Sequence, residues 1–214
     1  MATKRLEKIL SVLPRCNVLA DVGCDHGYVG LGALERDLAQ RVVFVDISLP
    51  SLQKAQRNCP QSLKTRATFV CRNGLGDLDV DCAVIAGMGG MEIISVLDNA
   101  KTLPQNLVLQ PMRNQQDVRL RLLRDYEILT DETFFDGKFY DLITAVKGKG
   151  CSLTHEQLVF GKDNLKNPSA DFVAYLQKLQ KEYQQILSHC NDVALTEKYD
   201  EVLRILAKIM EEGK

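Results

Sequence analysis

The stretch NVLADVGCDHG (residues 17–27) is an apolar run that ends on an acidic residue, Asp21, and breaks into a turn holding Gly23 and Gly27. An unbroken apolar run of this length suits a strand covered on both faces, as in a parallel sheet. Glycines in the turn that follows permit positive φ and let the backbone come close to a ligand. From Gly27 to about Asp37 the spacing becomes helical, which places the free N–H groups of a helix start beside that turn. RVVFVD (41–46) repeats the buried-strand pattern and again ends on an acidic residue, Asp46.

The alternation extends outward in both directions. Upstream, KRLEKILSVL (4–13) puts Leu6, Ile9, Leu10 and Leu13 at helical spacing before Pro14. Downstream, a helix is expected over 50–59, strands over 67–71 and 81–87, a helix over 91–99, and a fifth strand, NLVLQP, over 106–111. A further helix is expected over 115–124, with Val118, Leu122 and either Leu120 or Leu123 facing inward. Strand alternating with helix predicts a parallel α/β sheet with right-handed crossovers. After Asp125 the pattern changes. YEILTDETFF (126–135), Asp136-Gly137 and KFYDLITAVKG (138–148) read as two antiparallel strands around a tight turn. A parallel sheet ending in an antiparallel strand pair predicts the S-adenosylmethionine (SAM) methyltransferase variant of the Rossmann-like fold; dinucleotide dehydrogenases usually continue with further βα units.

Gly148-Lys149-Gly150 marks an expected boundary, giving a SAM-binding domain over 1–150 and a helical C-terminal domain over 151–214. In the second part Phe172, Leu176, Leu179, Tyr183 and Ile186 form a seam with steps of 3 and 4, as do Tyr199, Val202, Leu206 and Ile209. A small coiled-coil-like helical hairpin is expected, preceded by one short helix near 154–164.

Composition narrows the function classes. The chain has 214 residues, a formal net charge of -1, 45% hydrophobic and 26% charged residues. Basic and acidic residues number 19 and 18 up to Gly150, and 8 and 10 beyond it. Neither part is a polycation, so any nucleic-acid surface must be local. The cysteines (Cys16, Cys24, Cys59, Cys71, Cys82, Cys151, Cys190) are scattered without a C-x-x-C pair, which argues against a metal site. Their odd number, with no signal-peptide pattern, predicts the cytoplasm. No apolar run reaches the roughly 20 residues that span a bilayer. A monomer is expected, since sustained heptads are missing.

The chemistry concentrates at strand ends. Asp46 lies 19 residues after Gly27 and is placed to accept hydrogen bonds from ribose hydroxyls, in SAM or in NAD. Three features favour SAM. Asp21 suits a ligand with an ammonium and a sulfonium, Asp25 interrupts the G-x-G-x-x-G of dinucleotide sites, and Asn73-Gly74 follows the third strand, where a polar group meets an adenine edge. Gly87-Met88-Gly89-Gly90 follows the fourth strand at the edge where such sheets bind ligands. The candidate cofactor contacts are therefore Asp21, Gly23, Asp25, Gly27, Asp46, Ile47, Asn73, Gly74, Gly87 and Met88. His26 and Tyr28 either serve the reaction or pack locally.

In order along nearly the whole chain, DVGCDHGYV (21–29), VFVDIS (43–48), NGLG (73–76), IAGMGG (85–90), LVLQPM (107–112) and DGKFYD (136–141) resemble the TrmK-type tRNA (adenine(22)-N1)-methyltransferases. The family pattern often has alanine where this chain has Gly27. The resemblance implies methyl transfer from SAM to N1 of an adenine in tRNA, with no metal and no cysteine nucleophile. Catalysis would rest on alignment and on electrostatics around a developing cation, with Asp25, His26 and Tyr28 as catalytic candidates. It also raises Arg113, Arg119, Arg121, Arg124 and Lys147 as candidate RNA contacts. Two other readings stay open at this point: a SAM enzyme acting on a small metabolite or protein, and a nucleotide-binding module without turnover.

Overall fold

The computed structural model describes residues 3–150 and 152–212; Cys151 lies outside them. Seven strands form one sheet in the order β3-β2-β1-β4-β5-β7-β6. The first five in sequence, β1 (Cys16–Val22), β2 (Ala39–Asp46), β3 (Ala67–Cys71), β4 (Cys82–Met88) and β5 (Asn106–Pro111), run parallel. β6 (Tyr126–Asp136) and β7 (Lys138–Lys147) close the sheet antiparallel, with β7 between β5 and β6. The strand order reverses at β1, so the crevice beyond its carboxyl end is the expected ligand site of an open α/β sheet.

The continuous apolar runs have a simple cause. Leu19, Val42, Phe44, Val84 and Val108 enter one core layer beneath α1 (Lys4–Val12), α2 (Tyr28–Glu35) and α3 (Leu49–Asn58). Their neighbours Ala20, Val45, Ile85, Leu107 and Leu109 enter a second layer on the other face, with α4 (Gly90–Asp98) and α5 (Gln115–Leu122). Successive strand side chains alternate faces, and both faces are covered, so both sets must be apolar. A short 3-10 turn over Gln61–Arg66, which periodicity does not signal, leads into β3.

α5 departs from expectation in its arginines. Val118 and Leu122 are buried as predicted and, of the two alternatives, Leu123 is half-buried and Leu120 exposed, but Arg119 and Arg121 also take inward positions. Arg119 is fully buried. Its Nε and Nη2 donate to the two oxygens of Asp131 at 2.8 and 2.9 Å, Nη2 also to Asp141 at 2.9 Å, and Nη1 to the carbonyls of Leu158 and Val159 at 3.0 and 3.1 Å. Those carbonyls belong to α6 (His155–Phe160).

The short C-terminal helix divides at Gly161 into α6 and α7 (Lys162–Lys166). Gly161 has φ +87°, and a Cβ there would come within 2.9 Å of Asp131 Oδ1, so the chain can lie this close to the sheet only as glycine. Asn164 bonds Thr133 at 2.8 Å and Asp163 bonds Asp131 N at 2.8 Å, fastening α7 to β6. α8 (Ala170–Leu187) and α9 (Val193–Glu212) form the hairpin. Its seam is buried only near the body. Phe172, Leu176 and Val202 are buried with Phe160, whereas Ile186 is exposed; Ile205, outside the expected seam, is buried too. No helix is long and apolar enough to cross a membrane among the described residues.

Candidate cofactor and substrate site

The turn after β1 is held by the end of β2. Gly23 N and Cys24 N both donate to Val45 O, at 2.7 and 3.2 Å. Asp46 Oδ2 accepts from Asp25 N at 3.1 Å and Oδ1 from Ser48 N at 2.8 Å, so one carboxylate braces both loops. This brace holds Asp25 at φ +42°, a backbone region that L residues seldom occupy. Gly23, at φ +70°, packs against the Met88 methyl, where a Cβ would collide. Gly27 begins α2 in the left-handed region.

Asp21 is buried, and its Oδ2 accepts from Gly30 N at 2.9 Å. Its other oxygen receives no donor among the described residues. Burial pushes its carboxyl up to about 7, with Asp46 adding to the rise and the Gly30 bond opposing it. Asp25 behaves in the opposite way. It is exposed, and hydrogen bonding from Lys54 Nζ at 2.9 Å holds its carboxyl below the usual range; His26 Nε2 lies 3.5 Å away. The rings of His26 and Tyr28 stack at 5.3 Å, nearly parallel, and Tyr28 is 57% exposed.

Asp21, Gly23, Asp25, His26, Tyr28 and Gly87 line a cavity of about 960 Å³, joined from α1 by Arg5 and Glu7; Asp46 stands behind this lining as the brace of Asp25. The volume is in the range of a cofactor site. Gly87 lies beneath the guanidinium of Arg5. Arg5 Nε donates to Gln110 Oε1 at 2.7 Å, its backbone N to Asp136 at 2.8 Å, and its guanidinium sits 5.3 Å from the Tyr140 ring centre. α1 is thereby fixed across the carboxyl ends of β4 and β5. Sequence reasoning did not single out Arg5 or Gln110. The available signal was Gln110 itself, a buried amide ending the apolar strand NLVLQP, where an uncompensated polar group is costly.

Of the other cofactor candidates, Ile47 is 71% exposed just beyond Asp46, and Asn73 is exposed beyond β3. Gly74 is buried against Val96. Gly90 N donates to Arg113 O and Met112 N to Met88 O, at 2.9 and 2.8 Å, joining the β4 and β5 loops into one floor.

The candidate RNA contacts do not share one surface. Arg113 is exposed at the carboxyl edge and pairs with Glu92 at 3.1 Å. Arg119 has no exposed side-chain surface, and Arg121 is held by Asp98 and Asp125 at 2.6 and 2.7 Å with little exposure. Both expectations are corrected: every donor of Arg119 is taken by internal acceptors, and Arg121 is tied between two carboxylates with little exposure, so neither is presented to a phosphate. Arg124 and Lys147 are exposed, but Lys147 N bonds Gln105 O, before the start of β5. They sit at the opposite edge of the sheet, about 20 Å from the site along six strand residues.

The fold and site agree with comparisons to known proteins. A family model described as "Methyltransferase domain" matches residues 2–143. The tRNA (adenine(22)-N(1))-methyltransferase of Bacillus subtilis (strain 168) is 30% identical over 98% of this chain and 94% of its own length. A Streptococcus pneumoniae protein solved in complex with S-adenosyl-L-methionine superposes with a TM-score of 0.88 at 26% identity, covering 96% of this chain and all of that one. The crystal structure of the B. subtilis M1A22 tRNA methyltransferase TrmK gives a TM-score of 0.77 at 25% identity over 99% and 98% of the two chains. The chain belongs to the methyltransferase-domain family and, within it, to the family of the tRNA (adenine(22)-N1)-methyltransferases.

Proposed function

We propose that this protein transfers a methyl group from SAM to N1 of an adenine in tRNA, at position 22. The observation that carries the reading is the cavity lined by Asp21, Gly23, Asp25 and Gly87 at the carboxyl edge, with Asp46 bracing Asp25 beside it, in a chain of this family. The residues fit the cofactor. Gly23 and Gly87 let Met88 and Arg5 pack onto the backbone at the floor of the cavity, the Asp21 oxygen not bonded to Gly30 suits an ammonium, and Asp46, at the end of β2, suits a ribose diol. Ile47 would cover an adenine face, and Asn73 would meet its edge. When bound, SAM would supply an electrophilic methyl group on a sulfonium.

Adenine N1 has an in-plane lone pair, so no group must remove a proton from it before transfer. The protein's part is then alignment, exclusion of water and stabilisation of positive charge on the methylated base. Asp25, kept ionised by Lys54, is a poor proton acceptor and a good fixed anion at the mouth. The His26–Tyr28 stack offers an exposed ring face to the incoming base. Arg113, at the same edge, is proposed to meet RNA phosphate, and so are Arg124 and Lys147 with a more distant part of the tRNA. We take the enzyme to act as a cytoplasmic monomer without a metal, its functional division falling near residue 150.

Methyl transfer from labelled SAM to unmodified tRNA transcripts tests the proposal, with the product base identified by digestion and mass spectrometry. A 1-methyladenosine signal that disappears when adenine 22 is replaced supports it. No incorporation by protein that binds SAM would refute the substrate.

A further inference from the structure

Leu109 of β5 pairs with Ile143 of β7, which brings Pro111 level with Asp141. The β6–β7 ribbon continues for four more residues to Gly137, an overhang of about 13 Å beyond the carboxyl end of β5. It stands over the same edge as the cofactor cavity, and Asp136 at its tip receives the backbone N–H of Arg5. The overhang is rich in aromatic residues. Phe135 and Phe139 oppose each other in register with ring centres 5.0 Å apart. Tyr175 of α8 lies 5.4 Å from Phe139, and Lys178 Nζ 5.9 Å from it. On the other face, Lys138 Nζ lies 5.3 Å from the Tyr140 ring centre.

Cross-strand pairing explains why Phe135 and Phe139 meet. It does not explain why Phe135 stays 42% exposed at the end of a ribbon that α8 already supports. Six of the eleven large hydrophobic residues exposed among the described residues (Tyr28, Ile47, Leu49, Met91, Met112, Phe135) lie at this one edge of the sheet. The nearby carboxylates are engaged within the protein. Asp171 accepts from Phe135 N and Lys4 at 2.9 and 3.3 Å, and Glu182 faces Lys178 at 3.6 Å. Lys138 makes no ion pair among the described residues and lies over the Tyr140 ring. Exposed rings beside lysines complement a ligand made of flat bases joined by phosphates.

On the tRNA reading above, we infer that the hairpin tip is a stacking platform for an unpaired nucleotide next to the one being methylated. A base lies on the exposed face of Phe135, while Lys178, on the same face, meets a flanking phosphate. Presenting adenine N1 takes the target out of its stack, and its neighbour loses a partner in the process. The aromatic ring replaces that partner without reading base identity.

The chain contains no tryptophan, so Phe135→Trp places its one tryptophan at the platform, where it is excited selectively over the six tyrosines. Saturating unmodified tRNA is expected to quench its emission, corrected for absorption by the RNA. Phe135→Ala is expected to weaken tRNA binding about tenfold, with SAM affinity unchanged by calorimetry and Phe135→Trp restoring tRNA affinity. Unquenched tryptophan in a protein that still binds and methylates tRNA would overturn the platform and leave the enzymatic reading standing. So would Phe135→Ala binding tRNA like the parent. Failure of the unsubstituted protein to bind or methylate tRNA would remove the substrate and the platform together. The tryptophan readout does not depend on whether the alanine variant folds.

Discussion

Replacing Arg119 with methionine separates a buried structural role from an RNA-binding one. Methionine fills most of the guanidinium's volume, so the cavity contribution is small. The electrostatic loss is not. Asp131 has no exposed side-chain surface and Asp141 little, and the carbonyls of Leu158 and Val159 lose their shared donor. Removing one partner of such a buried ion network destabilises by about 3–5 kcal/mol. Protonation sets a ceiling: from an unperturbed carboxylate pKa, holding a proton on Asp131 at pH 7.5 costs about 5 kcal/mol, and at pH 5 about 1.5 kcal/mol. In the variant the folded state would keep a proton that the unfolded chain releases, so its stability falls as pH rises above the ordinary carboxylate range. Denaturant unfolding is therefore expected to show a loss of about 3–5 kcal/mol at pH 7.5, shrinking at pH 5, with the melting temperature about 6–20 °C lower at the higher pH. Parent-like stability at pH 7.5 would refute the reasoning. Weaker tRNA binding at unaltered stability would return Arg119 to the RNA contacts.

Other consequences follow from the site and the tail. Burial raises Asp21 to about 7, and a cationic ligand favours its anion, so SAM affinity is expected to rise with pH up to about 7 and level off above. The free protein's stability runs the other way, falling as pH rises through the same value; titration calorimetry across pH 5.5–8.5 checks the first (about three units), and a flat profile for the parent, like the one expected of Asp21→Asn, would refute it. Gly23→Ala places a side chain at φ +70° against the Met88 methyl, with an expected loss of about 1–3 kcal/mol and weaker SAM binding. Adding Met88→Ala should recover only the part due to collision, as unfolding curves of the two variants will show. Truncation after Asn167 keeps the α6 carbonyls on Arg119 and is expected to retain SAM binding while weakening tRNA binding. Truncation at Gly150 removes those carbonyls and should unfold the sheet edge, measured by SAM calorimetry and thermal melting.

The sequence by itself determined the strand–helix alternation, the antiparallel ending and the acidic strand ends at Asp21 and Asp46. Those features are local: a strand covered on both faces must be apolar throughout, and a turn meeting a ligand needs glycine within a few residues. It also pointed to the carboxyl edge as the place for the candidate cofactor residues, because the strand ends of one parallel sheet come together whatever the intervening helices contain. The fates of the arginines were decided only by tertiary structure. Arg119, Arg121 and Arg124 look alike along the helix expected over 115–124, yet one is buried against Asp131, one is tied to Asp98 and Asp125, and one is exposed at the far edge, past the end of α5. The same holds for Arg5, which meets Gln110 across 105 residues of chain, and for the break at Gly161 beside Asp131. An ionic group is read from sequence as solvent-facing, since burial of a charge is costly. Whether distant partners offset that cost depends on side chains that only folding brings together.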